Sequence, residues 1–320
     1  MPGSVVSEPR VLMPYPPREV GGLPEGWGAA FWDGTVDPPG AEVLGTVEFF
    51  VVPYTFTRAA RPLLARMPRL RVLQSLSAGV DDLAPHVPEG VTLCNARGVH
   101  DASTAELAVA LVLASLRGIP GFVAAQRAQR WSPGFRPALA GRTVLIVGHG
   151  SIGAAVEARL VAFECEVVRV ARSARRGPSG PVHAFEELPD LLGAADVVVL
   201  TVPLVPETRG LVDAGFLARM KDGALLVNVA RGPVVDTDAL LRELHRGRLG
   251  AALDVTDPEP LPAGHPLWSA PNVLISPHVG GNSSAFRPRA LALVRSQLER
   301  FTAGLPPANV VLGPAGGPGR

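Results

Sequence analysis

Residues 143–160 read TVLIVGHGSIGAAVEARL, and this stretch decides the fold. TVLIVG (143–148) is a continuous apolar run, typical of a parallel strand that is covered on both faces. It leads into GHGSIG (148–153), and a helix is predicted from about residue 151 to 163. A strand, a glycine-rich turn and a helix in this order predict the pyrophosphate-binding loop of a doubly wound α/β domain.

The three glycines of this loop have different tasks. Gly148 permits the tight turn, Gly150 lets backbone N–H groups approach a pyrophosphate, and Gly153 lets the helix pack on the strand. Ser151 and Ile152 stand at the helix N-terminus, where a partial positive charge favours a phosphate. We therefore predict all five as dinucleotide-binding residues. The alternative is a plain strand–turn–helix with no ligand.

Strand and helix patterns continue to alternate after the loop. Predicted strands are CEVVRV (165–170), DVVVLTV (196–202), ALLVNVA (224–230), AALDV (251–255) and NVLIS (272–276), with helices near 186–193, 213–220 and 236–247. This alternation predicts a Rossmann-type, doubly wound parallel sheet.

The N-terminal part of the chain predicts a second, smaller α/β unit. Its strand patterns are RVLMP (10–14), VEFFVVPY (47–54), RVLQSLS (71–77) and VTLCNA (91–96), and its helix covers 56–67. DASTAELAVALVLASLR (101–117) is the strongest helical pattern and is apolar on nearly all sides, as in a core helix or in a contact between domains or subunits. A last predicted helix, 285–303, is placed so that it can return to the first unit.

Length and composition exclude several classes of protein. The chain has 320 residues, which suggests two domains, and its 47% hydrophobic content supplies a large core. A net charge of +1 gives no reason to expect nucleic acid or a membrane surface as partner. Cys94 and Cys165 form no disulfide framework and no metal pattern. With no signal-peptide pattern at the N-terminus and no long apolar run, we expect a soluble, cytoplasmic protein without a metal.

The end of the second strand of the doubly wound sheet indicates which dinucleotide is used. Sites for NAD place an acid there to bind the ribose 2′-hydroxyl, but Val170 is followed by Ala171. Arg172, Ser173 and Arg175 offer groups for a 2′-phosphate instead. The sequence therefore favours NADP over NAD. The alternative is a solvated arginine loop, since the chain has a single lysine and uses arginine throughout.

Three polar residues follow strands of the same predicted sheet. Arg231 is in NVARG, Glu259 in DVTDPEP and His278 in SPHVGG. An arginine binds a carboxylate with two hydrogen bonds, a histidine exchanges a proton with a carbonyl oxygen, and a neighbouring carboxylate orients the ring and stabilises its protonated form. Taken singly, they are equally well a helix-terminus arginine, a solvated turn residue and a loop histidine. Together with a nicotinamide, they predict a 2-keto acid reductase.

These motifs make the chain resemble the D-isomer-specific 2-hydroxyacid dehydrogenase family. The matching stretches are LSAGVDDL (76–83), CNARGV (94–99), STAELAVALVL (103–113), HGSIG (149–153), TVPLVPETRGLV (201–212), NVARGPVVD (228–236), LDVTDPEPLP (253–262) and SPHVGG (276–281). They cover nearly the whole length of the chain. One departure concerns the cofactor, because many members carry Asp where this chain has Ala171.

The resemblance implies a role for each matching residue. Arg231 is expected to bind the substrate carboxylate and carbonyl, His278 to act as the acid–base with Glu259 as its partner, and Ala78 and Gly79 to present N–H groups to the substrate carboxylate. Tyr54 is a candidate for the substrate pocket. Asp254 is expected to contact the nicotinamide amide. The other cofactor-binding residues implied are Val202, Pro203, Thr208, Val229, Ala230, His278 itself and Gly280.

The resemblance also implies an architecture and an activity. Residues 1–98 and 285–320 form a discontinuous, flavodoxin-like substrate domain, residues 99–284 form the coenzyme domain, and the protein is a homodimer built around the helix at 101–117. The expected activity is NAD(P)H-dependent reduction of a small 2-keto acid, such as glyoxylate or hydroxypyruvate, to the D-2-hydroxy acid, and its reverse. Two alternatives stay open. One is an NAD-dependent enzyme resembling phosphoglycerate dehydrogenase, and the other is a non-catalytic, nucleotide-sensing protein resembling the corepressors of the family.

Overall fold

A computed structural model describes residues 8–314, which form two compact units. The first unit is drawn from Met1–His100 and Ser284–Arg320, and the second is Asp101–Ser283. The strands are, in chain order, β1 (Pro9–Met13), β2 (Gly28–Phe31), β3 (Phe49–Val52), β4 (Val72–Ser75), β5 (Thr92–Cys94), β6 (Thr143–Val147), β7 (Glu166–Val170), β8 (Arg175–Gly177), β9 (Gly180–Val182), β10 (Val197–Leu200), β11 (Leu225–Asn228), β12 (Gly250–Leu253), β13 (Val273–Ile275) and β14 (Val310–Leu312). The α-helices are α1 (Ala41–Leu44), α2 (Thr57–Leu64), α3 (Asp101–Leu116), α4 (Ile119–Arg127), α5 (Ser151–Leu160), α6 (Leu188–Leu191), α7 (Ala214–Arg219), α8 (Thr237–His245) and α9 (Phe286–Thr302).

The first unit contains a six-stranded sheet in the order β14-β5-β4-β3-β1-β2. Strands β1 to β5 pair in parallel, and β14 pairs with β5 in the antiparallel direction. The parallel part has the strand order 2-1-3-4-5 of flavodoxin-like folds, as predicted. The sequence pattern does not predict β2 and β14, because GAAF and VVL are short and lack a clear period of two.

The core of the first unit lies on both faces of its sheet. All four residues of β3, FFVV, are buried, and their side chains alternate between the two faces. Phe50 packs in one apolar cluster, whereas Phe49 packs in the other together with Val294 and Leu298 of α9. Helix α9 therefore covers one face of a sheet in which all strands but β14 come from the N-terminal part of the chain.

Buried amides attach α9 to this sheet as well. The side chains of Gln74 on β4 and Gln297 on α9 are fully buried. The Gln297 amide nitrogen donates to the Gln74 side-chain oxygen at 2.6 Å and to the Ala308 carbonyl at 2.8 Å. The Gln74 amide nitrogen donates to the Asn95 carbonyl at 3.1 Å. Since an unsatisfied buried amide is costly, these paired groups fix one position of the helix on the sheet.

The second unit contains a fully parallel sheet in the order β13-β12-β11-β10-β6-β7. A single parallel bridge between Val170 and His183 extends it beyond β7. The sheet thus begins with β6 near its centre and runs outward in both directions, which is the Rossmann-type doubly wound topology predicted from the sequence.

Helices cover both faces of this second sheet. Along β6, Val144 and Ile146 pack in one apolar cluster, while Leu145 and Val147 pack in the other. Helix α3 covers the first of these faces, and eight of its residues are buried. Helix α3 is therefore a core helix of its own unit, and its expected contact with a second subunit stays a prediction.

Helix α4 and the residues after it expose apolar side chains. Gly118 has φ of 69° and ends α3, and α4 begins at once with a proline in its first turn, a helix that the sequence pattern did not predict. Beyond α4, Trp131 is 97% exposed and Phe135 is fully exposed. Within residues 8–314, no single helix is long and apolar enough to cross a bilayer, and α3 and α4 meet that test only as a pair bent by 65°.

Candidate active site

The glycine loop connects β6 to α5 through very close contacts. Gly148 has φ of 105°, and a Cβ there would lie 2.7 Å from the backbone nitrogen of Val202. A Cβ on Gly153 would lie 2.5 Å from the carbonyl oxygen of Gly148. The Thr201 hydroxyl donates to that same carbonyl at 2.7 Å. Both glycines are therefore needed for the packing of strand, turn and helix, as the motif predicts.

Gly150 is different, because the space beside it is open. No atom lies within 4 Å of the position that its Cβ would take, and its φ of −91° is accessible to any residue. It directly precedes α5, so the N–H groups at the start of this helix face the same open space. A cradle lined by backbone, next to a helix N-terminus, fits a pyrophosphate. The loop therefore has the shape that a dinucleotide cofactor requires.

The arginines after β7 do not all belong to a loop. Arg175–Gly177 form strand β8, which pairs with β9 as a two-stranded antiparallel hairpin. The guanidinium of Arg175 donates to the carbonyl oxygen of His149, in the glycine loop, at 2.5 Å. Arg172 and Ser173 are exposed and make no side-chain hydrogen bond to the described residues. Of the three predicted 2′-phosphate ligands, the structure brings one to the glycine loop.

Arg231 follows β11 and is positioned by its neighbours. The side-chain amide of Asn228 donates to the Arg231 carbonyl at 3.0 Å, and the Asn228 oxygen accepts from the Ala230 N–H at 3.0 Å. A Cβ on Gly232 would lie 1.9 Å from the carbonyl oxygen of Thr256, so only glycine fits there. The arginine loop and the loop that carries the predicted glutamate are thereby in direct backbone contact.

His278 and Glu259 form a hydrogen-bonded pair. The Nδ1 of His278 lies 2.5 Å from Oε1 of Glu259, and both side chains are about half exposed. Burial raises the pKa of the Glu259 carboxyl, but the hydrogen bond and charge of His278 and the positive charge of Arg231 outweigh it. The pKa of Glu259 therefore lies below its usual value. The structure thus places a proton-exchanging ring against an ionised carboxylate, with an arginine nearby.

Asp254 fixes the turn that carries His278. This carboxyl is buried and accepts hydrogen bonds from the Ser276 hydroxyl at 2.6 Å and from the N–H groups of Val279 and Gly280, both at 2.9 Å. Its main-chain carbonyl accepts from the His278 N–H at 2.7 Å. Asp254 therefore orients the histidine turn, a function that the sequence did not suggest. Its expected contact with the nicotinamide amide stays a prediction.

The remaining predicted cofactor residues lie in the loops after β10 and β11 and in the histidine turn. The Thr208 hydroxyl donates to the Pro203 carbonyl at 2.6 Å and accepts from the Val205 N–H at 3.0 Å, so it closes the turn after β10. The buried ones are Val202, Thr208, Val229, Ala230 and Gly280, whereas Pro203 is exposed. Gly280 approaches Asp254 so closely that a Cβ there would lie 2.9 Å from its carboxylate.

The predicted substrate residues Ala78, Gly79 and Tyr54 belong to the first unit. Ala78 and Gly79 lie in the loop after β4, where the Asn95 side chain donates to the Ala78 carbonyl at 2.9 Å. Tyr54 packs against the rings of Phe286 and His100, at centroid distances of 4.4 and 5.2 Å. Their contact with substrate stays a prediction.

Several residues that shape the site were missed by sequence reasoning. Asn228, Gly232 and Ser276 each lie inside a motif that was recognised for another residue. His149 was noted only as the variable position of the glycine loop, although its side chain is buried. The signal was present, because a polar residue inside a recognised loop needs a partner when it is buried.

Several known proteins resemble this chain in sequence and in fold. The model of the D-isomer specific 2-hydroxyacid dehydrogenase NAD binding domain matches residues 109–280. A glyoxylate reductase of Thermofilum pendens is 37% identical over 258 residues, 76% of this chain and 75% of that protein. A glyoxylate reductase of Aeropyrum pernix is 33% identical over 298 residues, 88% of each chain. The NADPH-dependent glyoxylate/hydroxypyruvate reductase of Sinorhizobium meliloti, solved in complex with NADP and sulfate, has a TM-score of 0.80 at 29% identity and covers 95% of this chain and 98% of its own.

The fold and the matched domain are those of an oxidoreductase that uses a nicotinamide cofactor. The chain belongs to the D-isomer-specific 2-hydroxyacid dehydrogenase family, and the resemblance found in its sequence is confirmed. NAD(P)H-dependent reduction of keto acids is the activity that this membership supports.

Substitutions of Gly150 and Gly153, which lie on either side of the start of α5, distinguish an effect on cofactor binding from an effect on stability. We predict that Gly150→Ala leaves the melting temperature within about 2 °C of wild type but raises the Kd for NADPH by about tenfold or more, because the new methyl group fills the cradle. Gly153→Ala is the matched control: its methyl group meets a carbonyl, so it lowers stability by about 1–3 kcal/mol. Fluorescence titration and thermal melting measure both effects. Unchanged NADPH binding by Gly150→Ala contradicts the assigned cradle.

Proposed function

We propose that the chain reduces a small 2-keto acid of the glyoxylate or hydroxypyruvate class to its D-2-hydroxy acid, with NADPH preferred over NADH. The observation that carries this proposal is the His278–Glu259 pair at 2.5 Å, with Arg231 near it on the same sheet as the glycine loop. The glyoxylate reductases among the relatives support the choice of substrate class.

The proposed mechanism assigns one task to each side chain. The Nδ1–H of His278 donates to the ionised Glu259, so the protonated ring presents its Nε2–H to the keto oxygen of the substrate. Arg231 binds the substrate carboxylate through its guanidinium fork, which holds the keto group in one orientation. A bound nicotinamide supplies the hydride that reaches the keto carbon. The ring gives its proton to the oxygen as the alcohol forms, and Glu259 stays charged throughout.

The preference for NADPH rests on the residue after β7. Ala171 provides no carboxylate to bind ribose hydroxyls or to repel a 2′-phosphate, and exposed arginines follow it. The solved relative from Sinorhizobium meliloti is NADPH-dependent and contains NADP. Substrate binding by Ala78, Gly79 and Tyr54 in the first unit, and a cytoplasmic location, belong to the same proposal.

Initial rates with a panel of 2-keto acids test the function. We expect the highest kcat/KM for glyoxylate or hydroxypyruvate and a preference for NADPH over NADH of about tenfold or more, since one charge-assisted hydrogen bond contributes about 1.5–3 kcal/mol. Equal efficiency with both cofactors contradicts the preference. Absence of turnover with every keto acid, in protein that binds NADPH, indicates a nucleotide-sensing protein instead.

The pH dependence of reduction tests the acid–base pair. Reduction needs a proton from the ring, and the ionised Glu259 faces its Nδ1, so Glu259→Gln removes the negative charge beside the proton donor. We predict that the high-pH limb of kcat/KM moves to lower pH by about half to one unit, the partial exposure of the pair limiting the effect. Asp257→Asn, an exposed acid in the same loop, is the control and leaves the limb in place. A limb that does not move in Glu259→Gln excludes it as the partner.

A homodimer built around the helix at 101–117 is the proposed assembly, and the exposed residues after α4 extend its proposed surface. Most apolar residues of α3 pack inside the second unit, but Leu107 and Leu113 are only partly buried. The segment after α4 exposes Trp131 and Phe135. We predict a dimer at micromolar concentration in sedimentation velocity, and a shift toward monomer in the double variant Trp131→Ser, Phe135→Ser, because interfaces of this kind depend on buried aromatic residues. A wild-type protein that sediments as a monomer disproves this assembly.

A further inference from the structure

The glycine loop is joined to the β8–β9 hairpin by a chain of polar groups, of which His149 and Glu157 are buried. The Nε2 of His149 lies 2.6 Å from one carboxylate oxygen of Glu157, and the other oxygen accepts from Nε of Arg169 at 2.6 Å. The Nδ1 of His149 lies 3.5 Å from the guanidinium of Arg175. All of these residues belong to the second unit, and the mechanism above uses neither His149 nor Glu157.

The partners of His149 define which of its nitrogens carries the proton. Burial raises the pKa of Glu157, but hydrogen bonds from Arg169, His149 and Ser179 lower it to about 2, so this carboxylate is charged at neutral pH. The ring nitrogen that faces it, Nε2, therefore donates. A guanidinium only donates, so Nδ1 must be the acceptor toward Arg175. The neutral Nε2–H tautomer satisfies both neighbours at once.

Arg175 is consequently held by His149 from two directions. Its guanidinium contacts the ring at Nδ1 and donates to the main-chain carbonyl of the same residue at 2.5 Å. A guanidinium has five N–H donors, so most of them stay available to a ligand. Arg176, the next residue on β8, points to the opposite face of the hairpin because side chains alternate along a strand.

Arg175 is held close to the position where the ribose of a dinucleotide is expected. The His149 N–H donates to the carbonyl of Val170 at 2.8 Å, so His149 lies directly beside the end of β7. In dinucleotide-binding folds, the residue after this strand faces the ribose 2′ position, and here that residue is Ala171. Arg175 therefore supplies a fixed positive charge at a position where the usual carboxylate is missing.

We propose that His149 is a positioning residue for cofactor selection: it holds Arg175 at the glycine loop, ready to bind the 2′-phosphate of NADPH. This inference rests on the proposed NADPH preference and adds the residue that prepares it. An arginine fixed before binding loses less rotamer freedom on contact than the unpartnered Arg172, so Arg175 contributes more of the discrimination.

Two nucleotides that differ by one phosphate test the proposal without any turnover. Isothermal titration of the full chain with adenosine 2′,5′-bisphosphate and adenosine 5′-monophosphate gives the ratio of their affinities. We expect His149→Leu and Arg175→Ala each to lower this ratio by about five- to tenfold, while the affinity for the monophosphate changes by less than about twofold. His149→Gln keeps one donor and one acceptor and is expected to retain most of the ratio. Arg176→Ala is the matched control and leaves it unchanged.

The double variant decides whether His149 acts through Arg175. If it does, His149→Leu adds little once Arg175 is alanine, because Arg175→Ala has already removed the contact with the His149 ring. Additive effects, or an equal loss of affinity for both nucleotides in His149→Leu, overturn the proposal. One outcome disproves this inference but leaves the proposed function intact. In that outcome, the wild-type chain reduces keto acids and prefers the bisphosphate, and the ratio of the two affinities is unchanged in His149→Leu. A wild-type chain that binds both nucleotides equally disproves the NADPH preference and this inference together.

Discussion

The buried carboxylate of Asp254 is the interaction on which the acid–base site depends. His278 has φ of 52°, a left-handed conformation that costs about 1–3 kcal/mol for a residue other than glycine. Three hydrogen bonds to the Asp254 carboxylate surround that turn, and each bond to a charged group contributes about 1.5–3 kcal/mol. The sum exceeds the strain, so the ring is held in the one position from which Glu259 reaches its Nδ1. The loop that carries His278 is thereby anchored to Asp254, at the end of β12.

Backbone contacts join the other loops of the carboxyl edge in a similar way. Gly232 lies against the Thr256 carbonyl, and Gly148 lies against the backbone of Val202. No side chain separates the loops at these points, so the relative positions of arginine, glutamate and glycine loops vary little. This arrangement explains why small residues fill positions between the chemically active ones.

Elements with strong apolar patterns were predictable from the sequence, and those fixed by other contacts were not. The buried strands of both sheets can be recognised in the sequence as continuous apolar runs, because parallel strands are covered on both faces. The sequence pattern did not predict helix α4, because Gly118 marks the end of α3 and only Pro120 marks the start of the next helix. The hairpin β8–β9 was missed because its arginines resemble a solvated loop. In the site, the reactive side chains follow from motifs, whereas the roles of Asp254 and His149 depend on hydrogen bonds between residues far apart in the chain.

The buried amide pair between Gln74 and Gln297 has a consequence for synthesis of the protein. The first unit needs α9 and β14, whose residues are synthesised after the second unit, although its other strands are synthesised before it. The second unit is continuous from residue 101 to 283 and is complete earlier. The apolar strands of the N-terminal part therefore lack the cover of α9 until the second unit has been synthesised. Apolar surface and strand edges that stay exposed in this way are prone to aggregation.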